Sequence, residues 1–254
     1  MLRQREKFER IDVPRDNNPY RNIIGAGVVV AVCIVVTLVC VTLWNRVQLE
    51  SHLGDHGLNS ALAQQKVSSD EVAGYMRSQD EFTSVLLLTT DKLRGEGCKL
   101  QAASLLVLNK SAGTGTLVKL PLNTTITDTT DAENTTTTLE ALFEKGGAEA
   151  CIAPLAAASN IKMTHVIVAT QESWDEIAGL SGSGAQALIN NSGKLLSTLY
   201  TDMKPNELLE LAEIVQPIGV SNLNRFEVEA SDDEAGTTLD QTSLGQGVGL
   251  LVSQ

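Results

Sequence analysis

The chain has 254 residues, 43% of them apolar, and a formal net charge of −12. That length admits a sizeable core, while the acidity opposes nucleic acid, whose binding rests on neutralising phosphates with cations. No Cys-x-x-Cys or Cys/His cluster is present, which argues against a thiol redox centre or a zinc site.

Residues 1–22 form a polar tail with Pro14 and Pro19 and read as a disordered cytoplasmic segment. Residues 23–44 run IIGAGVVVAVCIVVTLVCVTLW, without one charge. A bilayer core needs roughly 20 apolar residues in a helix, so this segment is expected to span. It is longer than the apolar region of a signal peptide, about 7–15 residues. It also ends in Leu43-Trp44-Asn45-Arg46, an interfacial aromatic followed by a stop. Arg3, Arg5, Lys7, Arg10, Arg15 and Arg21 precede the span, and Arg46 stands alone after it until Lys66. Cations stay on the cytoplasmic side. The expected topology is a single-pass cell-membrane protein with a cytoplasmic N-terminus and an extracellular C-terminal domain.

Residues 47–254 carry 12 Lys plus Arg against 27 Asp plus Glu, a net charge of −15, and their only arginines are Arg77, Arg94 and Arg225. Cys33 and Cys40 lie inside the span and read as small packing residues. Cys98 and Cys151 are the only pair beyond it. Exported compartments are oxidising, so the two are a candidate disulfide. Residues 45–80 read as a stalk and a leading helix. His52 and His56 have the spacing of a metal pair but flank Gly54 and Gly57, so they read as solvated stalk residues. Ser68 and Glu71 are spaced as a capping box and predict a helix through Val72, Tyr75 and Met76, ending near Asp80.

Residues 81–230 read as the extracellular domain. Phe82–Leu88, Ala103–Leu108 and Leu117–Leu120 are strand-like apolar runs, the last two joined by a hairpin loop at Ser111–Gly115. A polar, Thr-rich stretch covers 123–138. Leu139–Lys145 predicts a helix stopped by Gly146-Gly147, and a further helix covers about 148–159. His165–Ala169 reads as a strand and Ser173–Leu180 as a short helix with Trp174 in the core. Gly182 and Gly184 form a turn. Pro205 opens another helix, and Phe226–Glu229 alternates as an edge strand. Residues 231–254 read as an acidic, Gly-containing tail, with Asp232-Asp233-Glu234 a solvated turn. Interleaved strands and helices predict an α/β class with a mixed central sheet and flanking helices, preceded by one transmembrane helix.

The order of elements resembles the LytR-CpsA-Psr family of cell-envelope proteins. Ser84–Asp91 is similar to that family's opening strand, which ends in Gly-Ser-Asp, and Ala103–Asn109 to its second strand. Leu120-Pro121 is similar to its Ile-Pro, Leu139–Gly147 to its Ile-Asn-x-Ala-Tyr-x-x-Gly-Gly helix, and Asn160–Gly182 to the strand, helix and Gly-Gly turn that follow. The resemblance implies a domain in which acidic residues hold magnesium and arginines grip a polyprenyl pyrophosphate during glycopolymer transfer to the cell wall. Asp91 persists as a vestigial site residue. The family's other charged positions are occupied by Leu93, Gln101, Leu122, Asn123 and Thr138, and no arginine lies between Gly184 and Leu211. Phosphoryl transfer depends on positioning and charge neutralisation, and lysines such as Lys92, Lys99 and Lys119 do not reproduce a guanidinium fork. The sequons at Asn109, Asn123, Asn134 and Asn190 read as chance Thr and Ser richness, the family being bacterial.

Three readings follow. The first is a membrane-anchored, non-catalytic relative that binds an envelope protein or a neutral or cationic glycan, with no cofactor and no metal. The second is an active glycopolymer phosphotransferase with an unusual site. The third is an anchored ectodomain of structural or adhesive function.

Overall fold

A mixed sheet bounded by helices on both faces organises residues 52–68, 72, 74–93, 97–128, 135–180, 197–219, 222–228, 230–233 and 236–253, which the computed structural model describes. All belong to one unit, Val47–Gln254. The tail 1–22, the 23–44 run with Cys33 and Cys40, Arg94 and the Gly182–Gly184 turn lie outside the described residues. Among the described residues no helix is long and apolar enough to cross a membrane.

In chain order the elements are β1 (His52–Leu53), α1 (His56–Ala63), β2 (Tyr75–Arg77), β3 (Phe82–Thr90), β4 (Leu100–Asn109), β5 (Thr114–Leu120), β6 (Thr125–Thr127), β7 (Thr136–Thr138), α2 (Leu139–Ser159) and β8 (His165–Thr170). There follow α3 (Gln171–Leu180), β9 (Leu199–Thr201), α4 (Pro205–Ile218), β10 (Asn224–Glu227), β11 (Ala230–Asp233), β12 (Gly236–Leu239), α5 (Gln241–Gly247) and β13 (Leu251–Ser253). The main sheet runs β1-β9-β8-β3-β4-β5-β10. Strand β3 pairs parallel with β8 and antiparallel with β4, so the sheet is mixed.

Strand alternation explains the three layers. Leu86 and Leu88 of β3, Ala103, Leu105 and Val107 of β4, and Val166 and Val168 of β8 share one core with Leu58 of α1, Leu142, Phe143, Ile152 and Leu155 of α2, and Leu244 of α5. The intervening Val85, Leu106, Leu108, Ile167 and Ala169 share a second core with Trp174 and Ile177 of α3 and Leu208, Leu211 and Val215 of α4. Both faces of the central strands are covered. They therefore read in the sequence as continuous apolar runs rather than alternating ones.

The sequence-based strands at 82–88, 103–108, 117–120 and 165–169 and the helix opened by Pro205 correspond to β3, β4, β5, β8 and α4. The stop at Gly146-Gly147 is real. Gly147 has φ +68 and ψ −164 inside α2, which splits it into two helical segments. Three expectations are corrected. The stretch read as stalk is stitched into the fold: Asp55 Oδ1 caps α1 by accepting from Gly57 N at 2.8 Å and Leu58 N at 3.1 Å, and Leu58 is wholly buried. Gln65 and Met163 exchange two hydrogen bonds of 2.8 Å. The segment read as a helix to Asp80 contains strand β2, because Tyr75–Arg77 pairs with Leu251–Ser253 at the far end of the chain. The acidic tail is likewise folded: Leu239, Leu244 and Val248 are core residues. Strand β9 and the Thr-rich ribbon β6–β7 had no counterpart in the sequence-based elements.

Candidate functional site

Asp91 follows β3 and closes the loop back to β4. Its Oδ1 accepts from Lys99 N at 2.7 Å, and its own N donates to Lys99 O at 3.2 Å. The Lys99 amide holds the carboxyl below the usual aspartate range, helped by the Cys98 thiol and the Lys92 charge. The side chain faces solvent. In this position Asp91 acts as a loop clasp.

Beside this clasp lies a cavity of about 180 Å³, lined by Leu93 and Cys98 of the loop, Phe143 and Gly146–Glu149 of α2, Val168 of β8 and Tyr200 of β9. The α2 kink builds its rim. At Gly147 only a residue free of Cβ strain adopts φ +68 comfortably, and the break exposes backbone and the Glu149 carboxylate at one edge. Tyr200, 5% exposed, donates its hydroxyl to Glu149 Oε1 at 2.9 Å. Gly57 of α1 packs directly over that carboxylate; a Cβ there would sit 2.3 Å from Glu149 Oε1. Three elements distant in the chain thus hold one acidic group at the cavity edge.

The structure does not join the candidate disulfide pair. Both cysteines are free thiols. Cys98 Sγ donates to Lys92 O at 2.8 Å, and Cys151 Sγ to Gly147 O at 3.4 Å. Burial pushes the Cys98 thiol up, and Asp91 adds to this. Deeper burial pushes Cys151 up further, with Asp128 contributing. Asp128 is itself buried and pairs with Lys145 Nζ at 2.9 Å.

The positions singled out as lost charges have other duties. Leu93 lines the cavity. Leu122 packs against the first core. Thr138 caps α2, its hydroxyl accepting from Ala141 N at 3.3 Å. Asn123 offers its carbonyl to Thr237 N at 2.9 Å. Gln101 is exposed on β4. Lys99 serves the Asp91 clasp through its backbone. His56 is exposed, whereas His165, which carried no expectation, places Nδ1 2.8 Å from Asp202 Oδ2. Among the described residues, no group of three or more His, Cys, Asp or Glu side chains is placed to hold a metal ion.

Glu149 and Tyr200 were not foreseen. Glu149 sits in an Ala-rich helical run with nothing local to distinguish it. Tyr200 lies in a three-residue strand, too short to announce itself by alternation.

No protein-family model matches the chain, and no curated protein does. Solved structures do. TagV of Bacillus subtilis superposes with a TM-score of 0.52 at 12% identity, covering 67% of this chain and 95% of that one. The Bacillus subtilis protein solved as the transcriptional regulator YvhJ gives 0.50 at 12% identity, with the same coverages. A YwtF (TagT) structure with bound octaprenyl pyrophosphate gives 0.47 at 11% identity, covering 73% of this chain and 94% of that one. At these identities the likeness is one of fold, and this chain is a divergent bearer of the LytR-CPS2A-Psr fold.

Proposed function

We propose that the chain is a membrane-anchored cell-envelope protein whose LytR-CpsA-Psr-like domain is non-catalytic and acts by binding an envelope partner or glycan. One observation carries this reading: among the described residues that line the cavity there is no Lys or Arg, and one carboxylate, Glu149. A pyrophosphate held there would meet repulsion where it needs neutralisation. Arginine forks and magnesium ordinarily supply that charge. Asp91, the persisting acidic residue, is engaged by the Lys99 amide. Leu122 and Thr138 serve the core and a helix cap, so the positions have structural uses in place of ionic ones.

Anchoring is part of the proposal and rests on the uncharged 23–44 run and the six cations before it. The domain would then stand outside the cell, at the surface where envelope polymers are displayed.

The test is direct transfer. Full-length protein in lipid nanodiscs, given magnesium and a glycan-loaded polyprenyl pyrophosphate, is expected to transfer nothing and to bind the carrier no better with magnesium than without. Asp91→Ala should leave both results unchanged. Transfer that Asp91→Ala abolishes would establish a phosphotransferase instead.

A further inference from the structure

The cavity beside α2 has the polarity of a cation site. We propose that it binds a small organic cation, a primary ammonium on a short apolar body, with Glu149 as the counter-charge. This deepens the non-catalytic reading above and rests on it.

Size comes first. About 180 Å³ is roughly six water volumes, which fits a body of about that many non-hydrogen atoms. The walls suit an apolar chain, because Leu93, Phe143, Ala148 and Val168 all contribute to them. Burying apolar surface against such walls is favourable in proportion to area.

Charge comes second. The Glu149 carboxylate is fixed before any ligand arrives, since Tyr200 Oη donates to Oε1 at 2.9 Å and Gly57 closes over the group. Phe143 and Tyr200 add aromatic faces, and an ammonium near such a face gains further attraction. Asp91, next to Cys98, adds negative potential. Lys92, exposed beside Asp91, opposes it there and does not line the cavity. A divalent metal is the poorer fit, because the described residues offer no three-ligand group.

The experiment is calorimetric titration of the full chain in nanodiscs, with empty nanodiscs subtracted, against hexylammonium, hexanol and hexyl phosphate. Hexylammonium should bind about fivefold more tightly than hexanol, the range of a half-exposed ion pair aided by an aromatic face. Hexyl phosphate should not bind. Glu149→Gln should erase the preference and leave hexanol unchanged. Cys98→Phe, which narrows the cavity from its wall, should weaken both ligands. Circular dichroism of each variant establishes that it folds, and Tyr200→Phe is a second route, expected to reduce the preference twofold or more. Equal binding of all three ligands, tighter binding of hexyl phosphate, or an undiminished preference in folded Glu149→Gln would overturn the proposal. The transfer assay is separate. A cavity that ignores hexylammonium leaves the absence of transfer standing, and transfer lost in Asp91→Ala refutes the non-catalytic reading whatever hexylammonium does.

Discussion

At the residue scale, the two thiols differ in environment more than in chemistry. Cys98 is half-buried on the cavity wall and Cys151 lies fully inside α2. Both thiols are pushed up, Cys151 much more strongly, chiefly by burial. A raised thiol carries less thiolate at any given pH, and the thiolate is the reactive form. Alkylation of the native chain with iodoacetamide at pH 8 should therefore modify Cys98 slowly and Cys151 only after unfolding. Peptide mass spectrometry checks this, and an intact Cys98–Cys151 bridge would contradict the free-thiol arrangement. Asp91 gives a second residue-level expectation. Its carboxyl lies below the usual range because it accepts from the Lys99 amide, so the contact is present at neutral pH. It should be lost only as pH falls through that lowered value. The Lys99 amide resonance should accordingly shift in acid, below the ordinary aspartate midpoint, and the shift should vanish in Asp91→Asn.

At the scale of elements, the ends of the domain carry more of the core than their composition conveys. Helix α1 has eight residues, marginal alone, and is held by its buried Leu58 and its Asp55 cap. Leu58→Ala should cost about 2–5 kcal/mol and Asp55→Ala about 1 kcal/mol, measured by urea denaturation. Helix α5 depends likewise on Leu244, and Leu244→Ala should cost about 2–5 kcal/mol. Strand β12 approaches the Asn123–Thr125 turn so closely that a Cβ at Gly236 would lie 2.4 Å from Asn123 O, and Gly236 has φ +135. Gly236→Ala should loosen the C-terminal segment as a whole, seen as faster amide exchange at Thr237 than in the parent chain. The same segment supplies Leu251–Ser253 as the partner of Tyr75–Arg77, so both ends of the domain should loosen together.

At the scale of the whole molecule, the topology proposal is separable from the fold. A cysteine introduced at Ser51 should react with a membrane-impermeant maleimide on intact cells, and one at Arg15 should not, with Cys98→Ser and Cys151→Ser in the background. The reverse pattern would invert the orientation. The domain itself is a three-layer arrangement in which one face of the sheet carries α1, α2 and α5 and the cavity, and the other carries α3 and α4. The cavity-bearing face also holds Asp91's loop and the α2 kink.

Hydrophobic pattern by itself determined the central strands β3, β4, β5 and β8 and the α/β class, and the glycine pair marked the break in α2, because each signal is contained in one contiguous run of the chain. The family resemblance placed Asp91 at the end of the opening strand, and that residue directly follows β3. Hydrophobic pattern did not determine β2, β9 or the C-terminal strands. Their hydrogen-bond partners lie elsewhere in the chain, as Tyr75–Arg77 needs Leu251–Ser253 and Leu199–Thr201 needs Ile167–Ala169. Tertiary structure alone decided the site. Glu149, Tyr200 and Gly57 belong to α2, β9 and α1, and only folding makes them one oriented carboxylate at the edge of a cavity. Local propensity is set within a few residues, whereas the chemistry of a cavity is set by which distant side chains the packed layers bring within about 3 Å.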